Sequence, residues 1–207
     1  ATGGGRLLLR TAVRLFLIRH PRPLLADGIC YGRLDVAAED PQPVAARLRP
    51  LLPAGTPVIS SPLQRTRRLA AALHPQPSCD ERLLEIDFGE WEGRPWERIE
   101  RGLLDAWASD VLHFVPPGGE SVAMLQARAI DCVGDLCGSD CALVTHAGVI
   151  RVLLGHWLQL PLGEWIRLPL DFGSITLLEL VAGNGDGRLP AGAILHYLNR
   201  RGAEGAP

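Results

Sequence analysis

The sequence predicts an α/β fold, an open sheet whose strands deliver polar residues to one edge. Three stretches carry that expectation. Leu15-Phe16-Leu17-Ile18 is an apolar run too short for a helix, and it ends abruptly in Arg19-His20. Cys141-Ala142-Leu143-Val144-Thr145-His146 repeats the arrangement and leads through Ala147-Gly148 into an apolar helix. Pro57-Val58-Ile59-Ser60 is a third strand, running at once into Ser61-Pro62-Leu63-Gln64. In open α/β sheets the ligand crevice lies beyond the carboxyl ends of the strands. Any strand can surface on polar residues, but two strands bringing two histidines to one edge are harder to explain as packing.

Taken in order, residues 21–40 are rich in Pro, Gly and Asp and form a long loop with one aromatic, Tyr31. A loop of roughly twenty residues in a compact domain calls for a role, and its place after Arg19-His20 gives it a substrate-facing one. Residues 44–52 read as a short helix closed by Pro50 and Pro53. Ser61 is expected as the N-cap of the next helix, with Pro62 at its first position and Gln64 reaching back. That places Arg65 in the first turn, where a cation opposes the helix dipole by a few tenths of a kcal/mol. A bound anion would account for the placement; a solvated Arg beside Arg67 and Arg68 is the plainer alternative.

Residues 83–93 pack Glu85, Asp87, Glu90 and Glu92 among apolar and aromatic residues, with Gly89 and Gly93 at the end. The stretch reads as a strand and turn. A carboxylate flanked by Leu84 and Ile86 is a candidate for a pKa raised by desolvation, and so for a general acid near neutral pH. An acidic surface loop would look similar. Residues 94–107 read as a helix, and Pro116-Pro117-Gly118-Gly119-Glu120-Ser121 as the loop that caps the next one. There Val122, Leu125, Ala129, Val133 and Leu136 recur at spacings of 3, 4, 4 and 3, a core-facing stripe. Residues 149–158 are apolar nearly all round and predict a buried helix whose first-turn N–H groups face His146. Two final strands, 174–181 and 191–198, are joined by the turn Gly183-Asn184-Gly185-Asp186-Gly187.

The 207 residues are enough for one sizeable core, and a single domain over 1–207 is expected, with residues 1–10 as a disordered extension. A net charge of −2 argues against a strongly basic nucleic-acid binder. Arg6, Arg10 and Arg14 break up any secretory apolar region, and the uncharged residues near 152–163 are too few for a bilayer. Five cysteines (Cys30, Cys79, Cys132, Cys137, Cys141) form no C-x-x-C pair, which suggests buried thiols in a reducing cytoplasm.

The sheet edge therefore collects Arg19, His20, Arg65 and His146, with Glu85 as a possible acid. Guanidiniums fit phosphate oxygens, a neutral imidazole can attack phosphorus, and a carboxylic acid can protonate a leaving alkoxide. There is no Walker A loop, no D-x-D pair and no H-E-x-x-H spacing. His74, His113, His156 and His196 fit no motif. The chemistry these residues suggest is phosphoryl transfer without a metal, the charge being neutralised by side chains and backbone amides.

Five segments resemble the histidine phosphatase superfamily, in its phosphoglycerate-mutase-like branch, and occur in the family's order. They are Leu17-Ile18-Arg19-His20; Ser60-Ser61-Pro62-Leu63-Gln64-Arg65-Thr66; residues 84–93; Pro117-Gly118-Gly119-Glu120-Ser121; and Val144-Thr145-His146-Ala147-Gly148. The resemblance implies a three-layer α/β sandwich with a mainly parallel central sheet and no cofactor. It implies His20 as the nucleophile, Glu85 as proton donor, and Arg19, Arg65 and His146 as the phosphate clamp, with Ala147 beside them. The expected partner is a small phosphorylated substrate, with no nucleic acid and no membrane. The chain departs from the family at Pro21, where glycine is usual. That loss of an N–H keeps a non-catalytic phosphate-binding module among the alternatives, beside a mutase. The 85–93 segment looks similar, more loosely, to α-ribazole phosphatases.

Overall fold

The computed structural model describes residues 12–136, 138–182 and 190–202. The expected extension at 1–10 and the turn at 183–187 lie outside them, as does Cys137. Six strands form one sheet: β1 (Ala12–Arg19), β2 (Val58–Ser60), β3 (Ser78–Cys79), β4 (Cys141–Thr145), β5 (Ile175–Ala182) and β6 (Pro190–Arg200). Their order is β3-β2-β4-β1-β5-β6. β1, β2, β3 and β4 run parallel; β5 is antiparallel to β1, and β6 to β5.

The helices are α1 (Gln42–Leu48), α2 (Gln64–Leu73), α3 (Arg101–Ser109), α4 (Val122–Leu136), α5 (Ala147–Trp157) and the single turn α6 (Leu162–Trp165). The period-two alternation of β1 divides the core. Leu15 and Leu17 join the apolar cluster under α4 and α5, while Phe16 and Ile18 join the one under α1 and α2. β4 divides likewise, with Leu143 on the first side and Ala142 and Val144 on the second. Helices on both faces of a largely parallel sheet make the three-layer sandwich. The stripe on α4 is core as expected, with Val122, Leu125, Ala129 and Val133 buried and Leu136 packed beside them. Ser121 caps that helix, its hydroxyl accepting the Met124 N–H at 3.2 Å.

Several local expectations need correction. The capping box at Ser61 does not form: α2 starts only at Gln64, after an extended Leu63. The Ser61 hydroxyl is engaged by His146 instead, and Asp35, from the long loop, accepts the Gln64 N–H at 2.8 Å. Residues 83–93 are not a strand. Single 3₁₀ turns at Glu81–Leu83 and Gly89–Trp91 flank an irregular segment. Its backbone groups are satisfied by side chains instead of by a neighbouring strand. Glu120 takes the Asp87 N–H, Glu92 takes that of Phe88, and Arg128 donates to the carbonyls of Arg82, Leu84 and Glu85.

The helix expected over 94–107 begins later. Residues 93–96 pair with the 28–30 segment, Cys30 N–H donating to Arg94 and Trp96 N–H to Gly28. Only a 3₁₀ turn, Trp96–Arg98, precedes α3. Near 44–52 the α-helix is Gln42–Leu48, and a 3₁₀ turn at Arg49–Leu51 follows it. α5 starts two residues before the predicted 149. Cys30, Cys132 and Cys141 are buried thiols, but Cys79 is exposed on the short edge strand β3. Among the described residues, no helix is long and apolar enough to cross a membrane.

Candidate active site

β1 and β4 are paired in register, Arg19 opposite Thr145, so the chain leaves both strands at the same level. This brings His20 and His146 side by side, their rings 5.1 Å apart and edge to face. Both are removed from water, His20 at 2% and His146 at 0% exposure. His20 is fixed from its backbone outward: its N–H donates to Thr145, and its carbonyl accepts the Gly173 N–H. Its Nδ1 lies 2.6 Å from the Pro21 carbonyl oxygen. A carbonyl can only accept, so Nδ1 carries the proton and Nε2 keeps its lone pair. Burial first, and then the Arg65 guanidinium, hold this imidazole well below the usual histidine range. The result is a neutral ring with one defined basic nitrogen.

Pro21 therefore supplies the acceptor that sets the tautomer, which sequence reading overlooked while counting its missing N–H. Phe172 covers the ring's other side at 5.6 Å and lies under the Arg19 guanidinium at 3.7 Å. Arg19 also donates to the Leu170 carbonyl. Next to it an open cleft of about 500 Å³ is lined by Arg19, Pro21, Arg22, Asp171 and Phe172, among others.

His146 sits at the N-terminus of α5 with the opposite nitrogen engaged. Its Nε2 is 2.8 Å from the Ser61 hydroxyl, and its Nδ1 is buried with no partner. Burial, then the neighbouring His20 and Arg65, hold this imidazole too below its ordinary value. Ala147, the first residue of α5, is buried beside it.

Arg65 is 1% exposed, which disposes of the solvated alternative. Its Nη1 donates to the Leu34 carbonyl at 2.7 Å and its Nη2 to that of Gly32 at 2.5 Å, while Nε is buried without a partner. Burial works against its charge, with the Glu85 carboxylate the nearest compensation. The loop 21–40 thus does reach the site, folding its backbone onto Arg65 and setting the Tyr31 ring 5.6 Å from that guanidinium.

Three carboxylates competed for the acid's place, and the geometry separates them. Glu90 is exposed. Glu92 is surrounded by backbone amides, described below. Glu85 alone faces α5, where it accepts the Gly148 N–H at 3.0 Å. A Cβ on Gly148 would come within 2.3 Å of Oε1, so only glycine lets the carboxylate this close. The segment carrying Glu85 is braced from behind: Arg128 pairs with Glu120 at 2.5 Å and grips three of its carbonyls. Here the Gly-Gly-Glu-Ser motif finds its use, because Glu120 also accepts the Asp87 N–H.

Sequence reading missed Ser61, Gly148 and Glu92 as parts of this arrangement. The recurrence of all three inside the motif segments was the available signal. Cysteine is no rival nucleophile at Cys30 or Cys132, since burial pushes each thiol up to about 12. No cluster of His, Cys, Asp or Glu suited to a metal ion occurs among the described residues.

The model of the histidine phosphatase superfamily (branch 1) matches residues 15–189. The bifunctional protein Rv2228c of Mycobacterium tuberculosis is 34% identical over 188 residues, covering 83% of this chain and 51% of that protein. The chain thus spans about half the length of that curated relative. A Hydrogenobacter thermophilus protein named "Putative phosphoserine phosphatase 2" is 31% identical over 155 residues, 68% of this chain and 76% of its own. Among solved structures, the mycobacterial glucosyl-3-phosphoglycerate phosphatase Rv2419c superposes with a TM-score of 0.77 at 26% identity, over 91% of this chain and 99% of that one. It has also been solved with inorganic phosphate and with VO3.

Proposed function

The chain belongs to the histidine phosphatase superfamily, and from that premise we propose that it is a phosphomonoesterase carrying the phosphoryl group on Nε2 of His20. One observation carries the reading: the 2.6 Å contact between Nδ1 and the Pro21 carbonyl, which leaves Nε2 as the basic nitrogen of a buried, neutral ring. Arg19, Arg65 and His146 surround the position that a phosphoryl group in line with Nε2 would take. The Ser61 hydroxyl donates to Nε2 of His146, so its Nδ1–H faces a phosphate oxygen as a donor, and the amide of Ala147 lies beside it.

In the first step Nε2 of His20 forms a bond to phosphorus as the ester P–O bond breaks. The departing alkoxide takes its proton from the Glu85 carboxyl. In the second step the Glu85 carboxylate accepts a proton from water, whose oxygen attacks phosphorus. The P–N bond breaks, and phosphate leaves with His20 restored. Side-chain and amide donors neutralise the equatorial oxygens throughout, so no metal is assigned.

The substrate class is a small phosphorylated metabolite. The resemblance of residues 85–93 to α-ribazole phosphatases supports α-ribazole 5'-phosphate as one candidate. The names of two relatives add phosphoserine and a phosphoglycerate derivative. The test is incubation with each ester, labelled in the phosphoryl group, and measurement of free phosphate and acid-labile phosphoenzyme. Both are expected with wild-type protein, and both are expected to vanish in His20→Ala. Phosphate release that survives in that variant would overturn the covalent route, and an isomerised ester would make the chain a mutase.

A further inference from the structure

Glu92 lies seven residues from Glu85 in sequence, yet its carboxylate is wholly occupied. Oε2 accepts the N–H groups of Gly32 at 2.9 Å and Leu34 at 3.0 Å. Oε1 accepts those of Arg33 at 2.9 Å and Phe88 at 3.0 Å. Three consecutive amides of the long loop therefore converge on one side chain, an anion nest filled from within the protein.

Gly32 and Leu34 are also the residues whose carbonyls hold Arg65, at 2.5 and 2.7 Å. Each is gripped through its N–H by Glu92, and each grips the guanidinium through its C=O. Side-chain packing contributes little to this stretch, since Gly32 has no side chain and Leu34 is exposed. Gly32 sits so close to the Ile86 carbonyl that a Cβ would lie 1.9 Å from it. The loop must therefore lie directly on the backbone that carries Glu85, and Glu92 ties the two together. An arginine has five N–H donors in a rigid fork, and two of Arg65's are spent on these carbonyls. Where the carbonyls stand fixes where the remaining donors point.

We infer that Glu92 is a positioning residue that aims the Arg65 guanidinium through the backbone of residues 32–34 and so sets the affinity for phosphate. The inference rests on the reading of Arg65 as a phosphate ligand. Glu92→Gln keeps the shape but replaces one oxygen by an NH₂ group, which must then face backbone N–H donors. An unpartnered or opposed buried donor is costly, and the loop relaxes to avoid it.

The experiment is calorimetric titration with inorganic phosphate of the wild type, Glu92→Gln, Arg65→Ala and the double variant. Glu92→Gln is expected to weaken phosphate about tenfold, and to add nothing once Arg65 is gone, since coupled residues are non-additive. A merely structural carboxylate would weaken binding equally with and without Arg65, and that additive result would overturn the inference, as would unchanged affinity in Glu92→Gln. An Arg65→Ala protein that binds phosphate normally would instead overturn the clamp reading beneath it. Should Glu92→Gln fail to fold, hydrogen exchange on the unaltered protein decides the matter. The amides of Gly32, Arg33, Leu34 and Phe88 are expected to slow together as phosphate binds, and indifference of the loop amides to saturating phosphate would overturn the proposal.

Discussion

His20 and His146 occupy equivalent places, each the residue after a buried parallel strand, with rings in contact. Their free nitrogens are opposite. In His20 a backbone carbonyl takes Nδ1–H and exposes Nε2; in His146 a serine hydroxyl occupies Nε2 and exposes Nδ1. A carbonyl has no proton to give, so it enforces a base, whereas a hydroxyl can give its proton and make the far nitrogen a donor. The lesson is that the atom behind each ring decides its task. Two imidazoles at one sheet edge are thereby divided into an attacking group and a binding group.

The largest test of that division is the pair His20→Ala and His146→Ala. The first is expected to lower phosphate release by a thousandfold or more, roughly the scale for loss of a nucleophile. The second removes a donor to the phosphoryl oxygens and should cost about a hundredfold while still forming phosphoenzyme. Equal losses, with phosphoenzyme absent from both, would erase the distinction.

Ser61→Ala reaches His146 without touching the ligand. Nε2 then loses its partner, and the ring is free to carry its proton on the wrong side. About a tenfold loss in kcat/KM is expected, the usual scale for one buried hydrogen bond. Nitrogen-15 spectra of the rings should show the His146 tautomer changing and the His20 tautomer staying put.

Both rings are held below the ordinary histidine value, so the folded protein resists protonating them. The unfolded chain titrates near 6.5 and binds more protons than the folded one just below that pH. Stability therefore rises with pH through this window: the full value is present above about 6.5, and it is lost as the pH falls. Denaturant unfolding across that range should show the slope, and His146→Asn should flatten it. A slope unchanged in that variant would assign the effect to other groups.

The smallest effect is expected at Pro21. Proline fixes φ and so helps aim the carbonyl that holds Nδ1–H. Pro21→Gly restores an N–H near the phosphate but frees that carbonyl. Inhibition by inorganic phosphate should strengthen while turnover changes little or falls. A large gain in turnover would mean that proline had disabled the site, bringing the binding-module reading forward.

The strands were legible because each is a short apolar run with a polar end, a local pattern. The residues at those ends, His20 and His146, were legible for the same reason. Arg65 could be suspected from its poor place in a helix dipole, but its partners could not, since Gly32 and Leu34 lie 33 and 31 residues away. Ser61 was misread for a related reason. A serine before proline looks like a cap, and only a partner 85 residues distant claims its hydroxyl. Residues 83–93 were misread because side chains of Glu92, Glu120 and Arg128 satisfy a backbone that strand pairing would normally satisfy. Local patterns reveal elements; they do not reveal which distant group saturates a given atom.

The central position of β1 also bears on how the chain is made. Arg14, near its start, meets Asp140 across 126 positions of sequence, and its other neighbour, β5, begins only at Ile175. As the chain emerges, Leu15-Phe16-Leu17-Ile18 must wait with both edges open, a state prone to edge-to-edge aggregation. Arg14 and Arg19 bracket that run, and charges so placed discourage self-association. Arg19 thus guards the unfinished strand before it serves the finished site.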